Sequence, residues 1–178
     1  MAEKIRIEMD GQFVTEIERN QYKIDAGPGS VINVIDNGPP TKLDVHGSAR
    51  IAIENYRFHE TSEDNGYLDL ERSRSGTKAD LSYDHITGQL KLENGAQVAR
   101  LKKYKKLHQW KPDVPSENDC QQIPADQWNG AFGDKDFDQD NTMTCIKTVE
   151  ADLGYLIVRA ERDEKPIGYH IYSYVWVR

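Results

Sequence analysis

The 178-residue chain has no long apolar run and no excess of positive charge. None of its hydrophobic stretches approaches the roughly 18 residues that a membrane-spanning helix needs, so we expect no transmembrane segment. The formal net charge is −7. Because the phosphate backbone of a nucleic acid demands a basic surface, this charge argues against a general DNA- or RNA-binding protein.

Catalytic and targeting signals are also missing. The sequence has no GxSxG nucleophile elbow, no phosphate-binding Walker loop and no HExxH zinc motif, so it leaves open whether the protein is an enzyme. The opening residues, MAEKIRIEMD, lack the basic head and apolar core of a signal peptide. If the protein is extracytoplasmic, we therefore expect its leader or anchor to have been removed.

Cysteine is scarce, and Cys120 and Cys145 are the only two. If they pair, they close a loop of about 25 residues, which is worth roughly 3 kcal/mol in the chain-entropy treatment. That loop is rich in Gly, Asp, Asn and Gln and poor in aliphatic residues, so it needs a covalent link to become ordered. Two reduced thiols in a cytosolic protein are the alternative, whereas the absence of CxxC and of ligand-spaced histidines disfavours zinc. We expect the disulfide, which implies an extracytoplasmic location.

Alternating apolar and polar residues dominate the rest of the chain. Ile5, Ile7 and Met9 alternate with polar residues before the turn Asp10-Gly11, and turn signals recur about every 8 to 12 residues. One of them, residues 84–88, predicts the bend of a hairpin. This pattern predicts an all-β, mainly antiparallel fold, either a sandwich or a small barrel, with at most one short helix.

The linker that begins at Pro112 provides the best internal boundary. It divides a β-rich part, residues 1–111, from residues 112–178, where the cysteine loop precedes three strands. Similar motifs in residues 42–53 and 91–101 leave an internal repeat open, with chance similarity of short strand motifs as the alternative. We expect the two parts to pack as one unit.

The last strand, IGYHIYSYVWVR, predicts a binding surface. Its odd-numbered residues from Tyr169 to Val177 face one way, and the even-numbered residues His170 to Trp176 face the other. Because both faces are bulky, the strand is either buried on both sides or lines a ligand groove with its Tyr/Trp face. With Trp128 from the cysteine loop, the candidate ligand-binding residues are Trp128, His170, Tyr172, Tyr174 and Trp176.

A basic segment precedes the linker. It could bind an anionic polymer, a lipid headgroup or a phosphate, although a solvated face on an acidic protein is the simpler interpretation. The candidate anion-binding residues are Arg100, Lys102, Lys103, Lys105 and Lys106.

An acidic run inside the cysteine loop places a carboxylate at every second position. Calcium loops supply oxygen ligands with this spacing, but the Gly and Glu that an EF-hand needs are absent, which excludes that motif. A different calcium site and a merely solvated loop are the two alternatives. The candidate metal ligands are Asp134, Asp136, Asp138 and Asp140, and calcium is the one cofactor we consider.

Several short motifs between residues 66 and 178 carry a resemblance. They are Asp80-Leu81-Ser82-Tyr83 with Gly88 and Asn94-Gly95-Ala96, the Cys near Trp128, Cys145-Ile146-Lys147-Thr148, and Gly154-Tyr155-Leu156-Ile157-Val158. This pattern resembles the β-rich sensor-like modules of actinobacterial secreted and membrane-anchored proteins, including some receptor-type serine/threonine kinases. The resemblance implies an extracytoplasmic β-domain with a disulfide and a binding role. Ala151-Asp152 stands where those modules usually have Gly-Arg.

Three functions remain open on the sequence. The first is a non-enzymatic extracytoplasmic β-domain that binds a small molecule, a glycan or a protein partner. The second is a cytosolic small-barrel enzyme of natural-product biosynthesis, which would cyclise an apolar substrate in its interior with polar groups such as His170 or Gln122. The third is a domain that only mediates protein contacts. A disulfide and an exposed groove favour the first, and free thiols with an internal cavity favour the second.

Overall fold

The chain folds into β-sheets in a computed structural model that describes residues 4–9, 12–18, 23–25, 31–35, 44–46, 48–59, 66–71, 79–101, 114–133 and 142–177. The first seven strands are β1 (Lys4–Met9), β2 (Gln12–Glu18), β3 (Lys23–Asp25), β4 (Val31–Ile35), β5 (Asp44–His46), β6 (Ser48–Phe58) and β7 (Tyr67–Leu68). The other six are β8 (Leu81–Asp84), β9 (Gln89–Leu92), β10 (Gln97–Arg100), β11 (Thr142–Lys147), β12 (Leu153–Glu161) and β13 (Gly168–Val177). Within these ranges there is one α-helix, α1 (Glu117–Gln121), and a 3-10 turn, Ala125–Gln127. The prediction of an all-β fold with at most one short helix is confirmed.

Eight strands form one large sheet in the order β10-β11-β12-β13-β6-β4-β1-β2. All neighbours in it are antiparallel except β4 and β6, which run parallel. The sheet has two edges, β10 and β2, so the protein is a sandwich rather than a closed barrel. The predicted boundary at residues 111 and 112 lies outside the described residues, and the division of the chain into two parts stays a prediction.

A small antiparallel sheet, β7-β8-β9, packs on one face of the large sheet. Leu68, Leu81 and Leu90 from the small sheet lie in one buried cluster with residues of β6 and β13. The rings of Phe58 and Tyr83 stack across this interface with centroids 5.5 Å apart. Each fully buried side chain of this kind contributes about 1.5–3 kcal/mol, so this core holds the two sheets together. A further pair, β3 and β5, is parallel.

The predicted turn between β8 and β9 is stabilised by a side chain that caps its backbone N–H groups and by a glycine that adopts a positive φ. The Asp84 carboxylate accepts hydrogen bonds from the backbone N–H groups of Ile86 at 2.8 Å and Thr87 at 3.1 Å. Gly88 then adopts φ +68°, a left-handed conformation that glycine reaches without strain. The hairpin therefore forms at the predicted bend, and Asp84 pairs with Gln89.

No helix among the described residues is long and apolar enough to cross a membrane.

Candidate functional site

The face of the large sheet opposite the core carries the aromatic residues of β13. Tyr174 pairs with Tyr155 of β12, and Trp176 pairs with Leu153. Tyr172, Tyr174 and Trp176 are all partly exposed, whereas the alternate residues of β13 are buried in the core. The predicted division of this strand into two faces is confirmed. We call the set of Tyr155, Tyr172, Tyr174 and Trp176 the aromatic face.

Rings of the aromatic face lie in contact with one another. Tyr155 is only 2% exposed and lies beneath the others. It stacks on Tyr174 with centroids 4.7 Å apart and planes 24° apart, and it contacts Trp176 at 5.9 Å. Offset and tilted geometries of this kind are favourable for aromatic pairs. The buried ring therefore holds the partly exposed rings in defined positions.

Arg50 of β6 adds a positive charge beside these rings. Its Nη2 donates a hydrogen bond of 2.8 Å to the Tyr155 hydroxyl, and its guanidinium carbon lies 4.5 Å from the centre of the Tyr174 ring. The Nε of Arg50 is buried and has no hydrogen-bond partner among the described residues. The arginine is thus fixed in place with one donor group left over.

Trp128 lies on the same side of the sheet, farther towards the β10 edge. The ammonium group of Lys147 is 4.7 Å from the centre of the Trp128 ring. Lys147 pairs with Leu153, which pairs with Trp176, so the lysine and Trp176 share one row across the sheet. Adjacent strands are about 4.8 Å apart, so the backbones of Lys147 and Trp176, which lie two strands apart, are separated by about 10 Å. Trp128 and Lys147 extend the aromatic face along this row.

The predicted disulfide between Cys120 and Cys145 is present, with the two Cα atoms 5.7 Å apart. Both cysteines are fully buried. Cys120 lies on α1, which begins with a capping box in which Ser116 and Asp119 satisfy each other's backbone N–H groups. Since Cys145 is the β11 neighbour of Tyr155, the disulfide fastens the segment that carries Trp128 beside the aromatic face.

His170 lies at the far end of β13 in a charged group. Its Nε2 contacts the Glu161 carboxylate, which also accepts a hydrogen bond from Arg57. Partial burial disfavours the charged form of Glu161, but the hydrogen bonds from Arg57 and His170 hold its pKa below the usual value. Arg57 also forms an ion pair with Glu164. His170 therefore contacts a carboxylate beside the aromatic face.

The two charged segments predicted from the sequence fall mostly beyond the described residues. Arg100 is exposed at the end of β10. Lys102, Lys103, Lys105 and Lys106 lie outside the described residues, and so do Asp134, Asp136, Asp138 and Asp140. The anion-binding site and the calcium site in the cysteine loop stay predictions.

Arg50 and Tyr155 are not among the ligand-binding residues predicted from the sequence. The alternation of residues along a strand could have predicted the direction of both side chains. Arg50 precedes the core residue Ile51, and Tyr155 precedes the core residue Leu156. Each therefore faces away from the core. Their mutual contact spans 105 residues of sequence, so it requires the order of strands in the sheet.

A second polar site, also absent from the sequence prediction, lies where the small sheet meets the turn after β11. Asp69 and Glu71 follow β7, and Asp80 precedes β8. One carboxylate oxygen from each lies within 4.8 Å of the others, and among the described residues these three form a group that could hold a metal ion. The sequence signal for this site was the alternation of Asp69 and Glu71 with the apolar residues Leu68 and Leu70. We call Asp69, Glu71 and Asp80 the carboxylate cluster.

The carboxylate cluster is buried and its electrostatics are unusual. Glu71 and Asp80 are both fully buried. Burial raises the pKa of Asp80 to about 7, although hydrogen bonds from the backbone N–H groups of Leu70 and Val149 oppose the shift. Burial and then the neighbouring carboxyl group of Glu150 raise the pKa of Glu71 as well. Such a group favours the uptake of positive charge, either protons or a cation.

Comparisons with protein-family models, with curated proteins and with solved structures found no match. The fold and the site define an all-β sandwich with a disulfide-fastened segment and an aromatic face. The resemblance to actinobacterial sensor-like modules stays a prediction.

Proposed function

We propose that this chain is a non-enzymatic, extracytoplasmic binding domain and that it holds a glycan against the aromatic face. One observation carries the proposal: Tyr172, Tyr174 and Trp176 alternate along β13 and stay partly exposed, whereas the main core lies on the other face of the sheet. A row of large rings at one surface is typical of a place where a ligand packs.

The chemistry of this face fits a sugar. A sugar ring has an apolar surface of C–H groups and a rim of hydroxyl groups, so it needs flat aromatic contacts with a few polar groups beside them. Tyr174 and Trp176 offer the flat contacts. Arg50 and Lys147 offer donors and positive charge, which favour a glycan that carries carboxylate groups.

The rigidity of the face also supports binding. Tyr155 is buried against Tyr174 and Trp176 and receives the Arg50 hydrogen bond, so the rings lose little freedom when a ligand arrives. Preorganisation of this kind improves affinity because less entropy is lost on binding.

The extracytoplasmic location is supported by the disulfide. Cys120 and Cys145 are buried and bonded, and structural disulfides persist in oxidising compartments. The same observation weighs against the alternative of a cytosolic cyclase. That alternative also needs a hollow interior, whereas Phe58 and Tyr83 stack between the two sheets of this sandwich.

A glycan array probed with the oxidised protein tests the proposal, followed by calorimetric titration of the best-binding glycan. We expect Trp176→Ala to weaken binding about tenfold or more, because the loss of one stacked ring at a binding site costs at least about 1.4 kcal/mol. Tyr67→Ala is the matched control, since Tyr67 is 53% exposed on the small sheet. Folding of each variant is checked by its thermal transition.

Two results would overturn the proposal. One is a folded wild-type protein that binds no glycan on the array, which would turn attention to a protein partner. The other is a bound glycan whose affinity falls as much with Tyr67→Ala as with Trp176→Ala, because the ligand would then lie elsewhere.

A further inference from the structure

We propose that the carboxylate cluster of Asp69, Glu71 and Asp80 binds a calcium ion, with Glu150 beside it. This inference does not depend on the glycan proposal, because it concerns other residues at the junction of the small sheet with the turn after β11.

The spacing of the cluster fits one ion. Calcium binds oxygen atoms at about 2.3–2.6 Å, so two ligands on opposite sides of the ion are at most about 4.6–5.2 Å apart. One carboxylate oxygen each from Asp69, Glu71 and Asp80 lies within 4.8 Å of the others. These oxygens can therefore contact a single ion without a rearrangement of the backbone.

Glu71 supplies an independent reason to expect a cation. Its side chain is fully buried, and its Oε2 has no hydrogen-bond partner among the described residues. The Oε2 of Glu150, a neighbour of Glu71, is likewise a buried atom without such a partner. Burying a carboxylate oxygen without a partner is very unfavourable, and a cation at this point would contact it.

The surrounding groups hold the ligands in place and leave acceptor positions on Asp80 for an ion. Asp80 accepts hydrogen bonds from Leu70 N–H at 2.9 Å and from Val149 N–H at 2.8 Å, one on each carboxylate oxygen. The hydroxyl of Thr148 donates to Oε1 of Glu71. Because an ionised carboxylate has about four acceptor positions, each Asp80 oxygen keeps one for a metal. Fixed ligands of this kind are a general feature of metal sites.

The ligand set selects calcium over other common metals. It contains only oxygen, whereas zinc and the later transition metals favour nitrogen and sulfur. Magnesium gives up its water reluctantly and prefers to keep several water ligands. Glu71 and Asp80 are fully buried, so a hydrated magnesium ion fits this site less well than calcium.

Protons are the competitor for this site. Glu71 and Glu150 are close enough for one proton to be shared between their carboxyl groups. In that case Glu71 and Glu150 would form a buried acid–carboxylate pair in which the proton takes the place of the cation, and calcium would have no effect. The experiment must therefore ask whether calcium binds and whether it binds here.

We would titrate CaCl2 into chelator-treated full-length protein at neutral pH by isothermal titration calorimetry. The melting temperature would be measured in parallel. We expect one ion per chain at this site and a higher melting temperature with calcium, because a ligand that binds only the folded state stabilises it. Glu71→Gln should lower the calcium affinity about tenfold or more and remove the thermal gain. This variant should still fold, because a neutral amide costs less to bury than a carboxylate.

Two further variants locate the ion. Asp126→Asn removes a charge from an exposed position and should bind calcium as the wild type does. A variant with Asn at positions 134, 136, 138 and 140 should also retain the calcium that Glu71→Gln loses. The proposal is overturned if the wild type binds no calcium, if Glu71→Gln binds it unchanged, or if only the fourfold variant loses it.

Discussion

The disulfide makes the most quantitative prediction about stability. Replacing both Cys120 and Cys145 with alanine removes the covalent link and leaves no polar group in its place. The loop between them spans 25 residues. The chain-entropy relation for a loop of this size gives about 11.7 cal/mol/K, or about 3.5 kcal/mol at 25 °C.

Burial of the two sulfur atoms adds to this figure. Both cysteines are fully buried, so the alanines leave a small cavity that costs about 1 kcal/mol more. We therefore expect the free energy of unfolding to fall by about 3–5 kcal/mol. Against a total of roughly 5–15 kcal/mol for a typical domain, this loss is large.

Urea unfolding monitored by circular dichroism measures the change, with the linear extrapolation applied to both proteins. Wild-type protein unfolded in the presence of a thiol reductant is the control and should lose a similar amount. A loss of less than about 1 kcal/mol would contradict this prediction, because it would mean that the segment carrying Trp128 is held without the disulfide.

Three further predictions concern single side chains. Arg50→Ala should lower stability by about 1–2 kcal/mol in urea unfolding, since it removes the hydrogen bond to Tyr155 and the contact with an aromatic ring, and unchanged stability would contradict that role. Hydrogen bonds from the backbone N–H groups of Ile86 and then Thr87 hold the pKa of Asp84 below its usual value. The ionised Asp84 therefore stabilises the folded protein above about pH 3.9, and this stabilisation is lost as the pH falls through the folded-state pKa. A carboxyl-carbon NMR titration tests this, and a midpoint at the ordinary value would disprove it. Gly88→Ala should lower the free energy of unfolding by about 2–4 kcal/mol, because φ is +68° and the added methyl group would lie 2.7 Å from a proline side chain. A melting temperature equal to that of the wild type would rule out this strain.

Local patterns in the sequence predicted the local parts of the fold. The alternation in β13 predicted which of its residues enter the core, and the bend after Asp84 predicted the β8–β9 hairpin. Both features depend on residues that are neighbours along the chain. The two cysteines were predictable for a different reason, since only one pairing exists.

Contacts between distant parts of the chain were not predictable. Nothing in the sequence places β6 between β13 and β4, or makes β4 and β6 parallel. The groups around the carboxylate cluster also come from a distant part of the chain, because Glu71 and its partner Thr148 are 77 residues apart. A sheet brings such residues together through strand order, which short patterns do not encode.

An NMR titration of the tryptophan indole N–H signals with the best-binding glycan tests the proposed function most directly. We expect the Trp176 signal to shift progressively and saturate, and the Arg50→Ala variant to need a higher glycan concentration to reach the same shift. A saturating glycan that leaves the Trp176 signal unchanged would contradict binding at the aromatic face.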